Sequence, residues 1–218
     1  MRFTTIYFDL DATLYPESNG LWPAIRSRID QFMHHRVGIP QNDIPQLRRI
    51  YYDQYGTTLR GLQANYNIDP NEYLEYVHDL PLEKYLQPDL SLRSLLQSIP
   101  IPRWIFTNSD SKHVRRVLEI LRIEDCFHGV IDVRALDPHC KPQVEAYNKA
   151  LILSNETNPK TCAFLDDSIR NLIPARDLGF FTVLVGNEEL HPSADRSLKD
   201  IKELRGKIPE LWMAGIEG

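Results

Sequence analysis

Two kinds of hydrophobic pattern alternate along this chain. Short runs rich in β-branched and aromatic residues occupy positions 5–8, 104–107, 130–133, 162–165 and 181–185. Between most of these runs, apolar residues recur every three or four positions, as on one face of a helix. Such runs favour buried strands, and their alternation with helices is typical of a parallel sheet. The pattern therefore predicts an α/β fold, a Rossmann-like parallel sheet with helices on both faces.

The interval between the first two strands is too long for one helix. Helical spacing predicts helices at 20–36, 43–55 and 57–65. Asp69-Pro70-Asn71-Glu72 supplies an N-cap, a proline at the first helical position and an acid, and so begins a fourth helix that runs to Leu80. Pro81 and Pro88 mark the return to the sheet. We therefore predict an all-helical domain at 16–86, inserted after the first strand, and an α/β core at 1–15 and 87–218.

The second half of the chain alternates regularly. Helical patterns are predicted at 92–96, 112–121, 141–153 and 169–178, the last ending at Gly179. The run at 181–185 is the last strand that the pattern predicts. Leu198, Ile201 and Leu204 then indicate a terminal helix.

Composition excludes some classes of function. The 218 residues carry a formal charge of −5, with a pI near 5.8, and provide no basic patch for a nucleic-acid polymer. No apolar run reaches membrane-spanning length. Three cysteines at irregular spacing fit a reduced protein better than a disulfide framework. The first strand begins so early that no cleaved signal fits before it, so we expect a cytoplasmic protein without a membrane partner.

The first strand ends in two carboxylates, Asp9 and Asp11, with Thr13 two residues further on. Side chains at i and i+2 of an extended chain point to the same side, so both carboxylates can share one site. They repel each other unless a hard cation neutralises them or one carries a proton. This arrangement suits a nucleophile and a proton shuttle beside Mg²⁺. The alternative is an ordinary Asp-rich turn.

Three further segments carry polar groups at the ends of predicted elements. Thr107-Asn108 ends the second strand, Lys141-Pro142 precedes a helix, and Asp166-Asp167 ends a later strand, with Asn171 four residues beyond. Each has an ordinary explanation: a strand end, a helix start or a solvated turn. Together, in this order, they resemble the motif set of the haloacid dehalogenase-like phosphohydrolases along nearly the whole chain.

That resemblance implies a reaction in two steps. Asp9 would attack phosphorus and form an aspartyl-phosphate, which divides a very slow hydrolysis into two easier displacements. Asp11 would protonate the leaving oxygen and then deprotonate the attacking water. Dehalogenases of the same superfamily lack this second acid, because halide needs no proton. Asp11 therefore favours phosphoryl transfer over carbon–halogen cleavage.

The resemblance also implies the ligands of Mg²⁺. They would be the Asp9 side chain, the Asp11 backbone carbonyl and Asp167. Asp166 would then support these ligands without binding the ion, although the sequence leaves the order of Asp166 and Asp167 open.

Phosphoryl oxygens would be held by Thr107 and Lys141, with backbone N–H groups at Leu10 and Asn108 as further donors. Asn171 would orient Lys141 or the metal site. These roles, too, are implied by the resemblance.

The helical insert resembles the cap domains of phosphatases in this superfamily that act on small substrates. The segments at 9–16, 55–62 and 106–110 are similar to the pyrimidine 5′-nucleotidase branch. We expect Arg60 and Tyr15 to select the substrate. The Arg60 guanidinium can donate to a base carbonyl, and Gly61 would let the backbone approach a ligand. A salt bridge on the cap surface is the alternative for Arg60.

The resulting prediction is a Mg²⁺-dependent phosphatase for small phosphate esters, with a pyrimidine nucleoside 5′-monophosphate as the favoured substrate. The alternatives are a phosphatase for sugar phosphates or other small phosphometabolites, and a phosphomutase. A third alternative is a non-catalytic sensor of such metabolites, although a sensor has no need for the acid–base group Asp11. Monomer and homodimer both remain open.

Overall fold

The computed structural model describes residues 3–213 and contains a six-stranded sheet. Its strands are β1 (Thr5–Phe8), β2 (Arg103–Phe106), β3 (Gly129–Ile131), β4 (Cys162–Asp166), β5 (Phe181–Val185) and β6 (Arg196–Leu198). Their order is β3-β2-β1-β4-β5-β6, and every neighbouring pair is parallel. The predicted α/β fold with a parallel sheet is confirmed.

Nine α-helices accompany the sheet in residues 3–213. They are α1 (Leu21–His35), α2 (Ile44–Tyr55), α3 (Thr58–Asn65), α4 (Pro70–His78), α5 (Leu90–Ser98), α6 (Ser111–Leu121), α7 (Val144–Leu153), α8 (Ile169–Leu178) and α9 (Leu204–Lys207). Helices α1 to α5 lie between β1 and β2, so the predicted helical insert after the first strand is also confirmed.

The contacts within the chain define two compact units. One contains the described residues up to Asn19 and those from Leu86 onward, and the other is Gly20–Tyr85. The helical unit has an aromatic core, in which the Phe32 ring of α1 meets the Tyr73 and Tyr76 rings of α4 at centroid distances of 5.1 and 5.5 Å. Edge-to-face contacts of this kind stabilise the packing of α1 on α4 beyond the burial of apolar area.

The central strand of the α/β unit, β1, is buried on both faces. Tyr7 lies in an apolar cluster with residues of α7 and α8, including Tyr147 and Leu172. Ile6 and Phe8 point to the opposite face, where the Phe8 ring contacts that of Phe127. A parallel strand covered on both sides reads as a continuous apolar run, which explains the sequence pattern at this position.

The strand order positions the polar residues. The chain proceeds from β1 to β2 and β3 on one side, then returns to β4, β5 and β6 on the other. Connections therefore diverge between β1 and β4, where open α/β sheets form their ligand crevice at the carboxyl ends of the strands. Asp9 directly follows β1, and Asp166 is the last residue of β4.

The C-terminal part differs from the prediction. The run at 181–185 is followed by a sixth strand, β6, which the sequence pattern missed because three residues at a sheet edge carry no apolar run. The predicted terminal helix is wrong: Leu198 ends β6, Ile201 begins a 3₁₀ turn and α9 has only four residues. These three apolar residues belong to three short elements, but their spacing of three positions matches that of one helix face. Similarly, the helix predicted from Lys141 begins at Val144.

Gly61 of α3 has a packing role that the sequence did not predict. A Cβ atom added there would lie 2.2 Å from Cγ of Tyr51 in α2. Tyr51 is itself buried. The absence of a side chain at Gly61 therefore lets α2 and α3 pack together, which accounts for the glycine without a ligand nearby.

We expect Gly61→Ala to destabilise the protein by about 1–3 kcal/mol, because the added methyl group overpacks the contact with Tyr51. Gly206→Ala is the matched control: this glycine also lies in a helix, and a Cβ there meets nothing within 4 Å. The control should be neutral or up to about 1 kcal/mol more stable, as alanine favours helices. Urea denaturation followed by circular dichroism measures both changes. Equal effects of the two substitutions would contradict the packing argument.

Candidate active site

The buried ammonium group of Lys141 lies at the centre of the site. Its Nζ donates to Asp9 Oδ1 at 2.8 Å and to Asp166 Oδ2 at 2.7 Å. The faces of the Phe106 and Phe164 rings each lie 5.2 Å from Nζ. Lys141 is only 1% exposed, and a buried ammonium is stable only with charged or polar partners. It thus joins the carboxylates at the ends of β1 and β4.

Asn108 fixes the backbone of Lys141. Its Oδ1 accepts from the Lys141 backbone N–H at 2.9 Å, and its Nδ2 donates to the Lys141 carbonyl at 3.0 Å. Asn108 follows β2, so this pair of hydrogen bonds attaches the loop before α7 to the adjacent strand end. Asn108, whose backbone N–H was predicted to contact the phosphoryl group, therefore uses its side chain to hold the lysine that would bind that group.

Two carboxylates contact this ammonium, and a third lies close to both of them. Oxygen atoms of Asp9, Asp166 and Asp167 lie within 4.8 Å of one another. Asp166 is fully buried and accepts from Lys141, from Asn171 Nδ2 at 3.0 and 3.1 Å, and from the Ser168 backbone N–H at 2.9 Å. Asp167 is exposed. Both oxygens of Asp166 are thus used by protein donors, while Asp167 faces solvent.

The charges of this cluster do not balance. Burial raises the pKa of Asp9 above its ordinary value; Lys141 opposes this, and the nearby charges of Asp166 and Asp11 add to it. The Asp167 residue retains solvent exposure, but burial of its carboxyl group within the cluster likewise raises its pKa, together with the charges of Asp166 and Asp9. Burial alone would lower the pKa of Lys141, but Asp166 and Asp9 outweigh it and raise that pKa. Three carboxylates and one ammonium leave negative charge that a divalent cation with oxygen ligands would neutralise.

Asp11 lies in a separate environment. Its Oδ1 accepts from the Tyr15 hydroxyl and from His113 Nε2 at 2.9 Å, and its Oδ2 accepts from Ser109 Oγ at 2.5 Å. Burial would raise the pKa of Asp11, but attraction to His113 and the three hydrogen bonds outweigh it and hold the pKa below its ordinary range. The two carboxylates of the first motif therefore have different partners.

The loop that follows Asp11 has an unusual backbone. Ala12 has a φ of 61°, in the left-handed region that favours glycine and asparagine. Tyr15, three residues further on, is buried and contacts Asp11, which brings this predicted specificity residue against the second carboxylate.

The structure brings most of the predicted site residues together. Asp9, Lys141, Asp166 and Asn171 form one hydrogen-bonded set, with Asp167 adjacent. Thr107 is buried after β2, and its Oγ1 accepts from the Ser109 backbone N–H at 3.1 Å, so the hydroxyl hydrogen can be donated elsewhere.

Arg60 belongs to the helical unit, where it lies in α3. Its Nη1 donates to Gln63 Oε1 at 2.9 Å, and its backbone N–H is capped by Thr57. Helix α3 is thereby fixed at its start, and Arg60, in its first turn, is half-buried.

Sequence reasoning missed Ser109 and His113. Ser109 lies two residues beyond Thr107, and its role depends on an oxygen 98 residues away in sequence. His113 offered one signal: it occupies the buried face of α6 beside Val114, Val117 and Leu121. A polar residue within an apolar stripe needs a partner.

A cavity of about 320 Å³ lies beside Asp167. Its wall includes the loop that follows Asp11, from Ala12 to Ser18, and the segment from Lys199 to Lys202. All of these residues belong to the α/β unit, so this unit alone provides room for a small ligand beside Asp167.

No helix within residues 3–213 has the length and apolar character needed to cross a membrane. The three cysteines, Cys126, Cys140 and Cys162, are free and buried.

The fold is shared with solved structures of other proteins. CbbY from Rhodobacter sphaeroides, solved in complex with phosphate, superimposes with a TM-score of 0.67 at 18% identity, covering 96% of this chain and 99% of that one. YfnB from Bacillus subtilis, a HAD-hydrolase bound to magnesium, gives a TM-score of 0.64 at 15% identity, covering 94% and 98%. At these identities the likeness shows the shared fold.

Sequence comparison gives a relative at higher identity and a match to a family. Phosphate metabolism protein 8 of Saccharomyces cerevisiae is 30% identical over 192 residues, which cover 82% of this chain and 60% of that protein, so this chain spans only part of the length of its relative. The profile of the haloacid dehalogenase-like hydrolases matches residues 3–179. This match includes the strands that bear Asp9, Thr107 and Asp166, and the chain therefore belongs to the haloacid dehalogenase-like hydrolase family.

Proposed function

We propose that this protein is a magnesium-dependent phosphatase that hydrolyses small phosphate monoesters through a phosphorylated Asp9. The observation that carries the proposal is that two neighbouring carboxylates, Asp9 and Asp11, have different hydrogen-bond partners. Asp9 is paired with the Lys141 ammonium at 2.8 Å, whereas Asp11 is held by three separate donors. This difference supports Asp9, beside a positive charge, as the attacking group and Asp11 as the group that transfers protons.

Asp11 favours phosphate esters over haloacids within this family. A halide ion leaves without a proton, so a second buried carboxylate has no task in dehalogenation. An alkoxide is a poor leaving group and needs a proton as it departs. The phosphate bound to CbbY and the name of the yeast relative agree with this choice.

In the first half-reaction, a carboxylate oxygen of Asp9 forms a bond to phosphorus as the bond from phosphorus to the leaving oxygen breaks. Asp11 is ionised in the free protein, where its pKa is held low; it takes up a proton from solvent as the phosphate dianion brings negative charge beside it, and gives this proton to that oxygen. Lys141 and the Thr107 hydroxyl bind phosphoryl oxygens, and the positive charge of Lys141 offsets the negative charge that collects there. The products of this step are the free alcohol and phospho-Asp9.

In the second half-reaction, water attacks the phosphorus of phospho-Asp9. Asp11, ionised by the first step, removes a proton from this water as the new bond forms. The bond between phosphorus and the Asp9 oxygen breaks, which restores the carboxylate and releases inorganic phosphate. Asp11 then releases this proton to solvent, and both carboxylates have returned to their initial states.

Mg²⁺ would be held by the carboxylates of Asp9 and Asp167 and by the backbone carbonyl of Asp11. The raised pKa values of Asp9 and Asp167 support this assignment, since burial and then the charges of neighbouring carboxylates disfavour the ionised forms, and a bound cation would favour them. Asp166 already accepts from Lys141 and Asn171, which favours Asp167 as the direct ligand. The ion would supply charge that lets a phosphate dianion approach the carboxylates.

A nucleoside 5′-monophosphate, preferably of a pyrimidine, is the proposed substrate. The resemblance of residues 9–16, 55–62 and 106–110 to pyrimidine 5′-nucleotidases supports it, with Arg60 as the residue that binds the base. Sugar phosphates are the alternative substrates. A phosphomutase would return the phosphoryl group to its product, and a sensor would bind esters without turnover.

A screen of inorganic phosphate release across nucleotides, sugar phosphates and 4-nitrophenyl phosphate in the presence of Mg²⁺ tests the function. We expect release from nucleotides to be the fastest among physiological classes of ester. Isomerised substrate without phosphate release would identify a mutase. Binding without either reaction would identify a sensor.

We expect Asp9→Asn to abolish turnover, because an amide cannot form the phospho-enzyme. Acid quenching with labelled substrate should trap a hydroxylamine-sensitive phospho-protein in the native enzyme and none in the variant. Asp177→Asn, at an exposed position of α8, is the control and should keep native activity. Steady hydrolysis by folded Asp9→Asn would contradict covalent catalysis.

Asp167→Asn should stabilise the metal-free protein at neutral pH. The pKa of Asp167 is raised in the folded state above the ordinary 3.8. The folded protein therefore binds more protons than the unfolded one, and stability falls as pH rises from about 4 through neutrality. Asparagine does not titrate and so removes this loss of stability. The free energy of unfolding of the variant should exceed that of the native protein most at about pH 8 and least near pH 4.

Thermal denaturation with a chelator, repeated with excess Mg²⁺, measures this effect. Magnesium should stabilise the native protein and stabilise Asp167→Asn much less, because a ligand that binds only the folded state raises its stability. Asp177→Asn should respond to magnesium like the native protein. An equal response of Asp167→Asn would exclude Asp167 as a ligand.

Arg60→Ala should raise KM for a pyrimidine nucleotide about tenfold or more, the cost of one lost charged hydrogen bond. Turnover of 4-nitrophenyl phosphate should hardly change, since that ester has no base. Arg49→Ala, an exposed arginine of α2 paired with Asp53, is the control. If the substitution impairs hydrolysis of both substrates equally, Arg60 has a structural role or contacts phosphate.

A further inference from the structure

Side chains from two separate parts of the chain hold the carboxylate of Asp11. Tyr15, from the same loop, donates to Oδ1. From the other part, Ser109 Oγ donates to Oδ2 at 2.5 Å, and His113 Nε2 lies 2.9 Å from Oδ1. Because an ionised carboxylate only accepts hydrogen bonds, the ring nitrogen that faces it carries a hydrogen. His113 therefore donates to Asp11, yet it takes part in no step of the proposed reaction.

The fold fixes His113 in place. It lies in the first turn of α6 and is 1% exposed, and its backbone N–H donates to the N-cap residue Asp110 at 2.7 Å. The same stretch begins at Thr107, whose Oγ1 accepts from the Ser109 backbone N–H. One short segment, 107–113, thus carries a phosphoryl-binding hydroxyl and two of the donors to Asp11.

Without such donors, the Asp11 carboxylate would be attracted towards the Lys141 ammonium. Asp9 lies two residues before it and pairs with the Lys141 ammonium, which is also shared with Asp166. A buried carboxylate without a partner is costly, and the nearby positive charge would attract it. A third carboxylate at Lys141 would remove Asp11 from its place beside the leaving group. The donor from α6 opposes this movement.

We propose that His113 is a positioning residue, whose Nε2–H group holds the Asp11 carboxylate apart from Lys141, in the orientation from which Asp11 exchanges a proton with the leaving oxygen. This inference rests on the proposed phosphatase function and adds a residue to it. Like Tyr15, His113 donates to Oδ1, so that oxygen remains an acceptor throughout.

Proton exchange is then assigned to Oδ2. The Ser109 hydroxyl that faces Oδ2 can donate to it or accept from it by rotating, so it suits either form of the acid. In the first half-reaction, the proton on Oδ2 passes to the leaving oxygen as the phosphorus–oxygen bond breaks. In the second, Oδ2 receives a proton from the attacking water. His113 keeps its own proton in both steps.

The test compares His113→Met with His113→Gln. Methionine fills a similar volume without a donor, and the amide of glutamine can donate from about the position of Nε2. The measured quantity is kcat/KM for a series of phosphate monoesters, from 4-nitrophenyl phosphate to esters of simple alcohols. This ratio reports the transfer to Asp9, in which the leaving group departs.

We expect His113→Met to lower kcat/KM about 10- to 100-fold for alcohol esters and less than about threefold for 4-nitrophenyl phosphate, since nitrophenolate departs without a proton. His113→Gln should recover most of the loss. Asp11→Asn should show the same dependence on the leaving group with a larger loss, about 10²–10⁴-fold on alcohol esters. Arg115→Gln, an exposed position on the same helix, should match the native enzyme.

An equal loss on all esters, or no loss on any, would overturn the assignment, as would His113→Gln no better than an equally stable His113→Met. If His113→Met does not fold, His113→Asn replaces it, because its shorter amide does not reach Asp11. Two other results would refute the proposed phosphatase function itself: a native protein that releases phosphate from no ester, or an Asp9→Asn variant that remains active. In contrast, uniform losses in the His113 variants with a normal native enzyme refute the positioning role alone.

Discussion

The site depends on one buried positive charge. The ammonium of Lys141 lies between carboxylates that end two adjacent parallel strands, and two aromatic rings exclude water from it. In such surroundings each ionic contact is stronger than in water, and each unpaired charge more costly. The nucleophile is thereby fixed in position, since any rotation of Asp9 would leave the ammonium with one partner. The backbone hydrogen bonds from Asn108 prevent the lysine itself from shifting.

A second constraint is the separation of two like charges only two residues apart. Asp9 and Asp11 leave the same strand end, and mutual repulsion alone would push one of them towards protonation. The structure gives each its own partners: an ammonium for Asp9, and hydroxyl and imidazole donors for Asp11. The left-handed backbone at Ala12 turns the chain between Asp11 and Tyr15, so the tyrosine can return to the carboxylate. Chemical specialisation of identical side chains thus arises from their neighbours.

The sequence was informative where chemistry and local pattern coincide. Consecutive apolar residues identified β1, β4 and β5, because strands of a parallel sheet are covered on both faces. Polar residues directly after such runs indicated Asp9, Thr107 and Asp166, because parallel strands end at one edge. The edge strand β6 lacked an apolar run and was missed. The contacts of Ser109 and His113 with Asp11 join residues 98 and 102 positions apart, and no local pattern encodes them. The reason for Gly61 was likewise a contact with another helix.

The segment 107–113 combines several roles within one loop and the first turn of α6. Its first residues directly follow β2, and Asn108 among them holds the Lys141 backbone. Its middle carries Ser109, and its last residue is the imidazole donor. Each side chain reaches a different target, and their spacing is set by one loop and the first turn of a helix. An insertion or deletion of a single residue here would displace several groups at once, whatever the identity of the added residue. The length of this loop, and not only its composition, is therefore under functional constraint, whereas most surface loops tolerate changes in length.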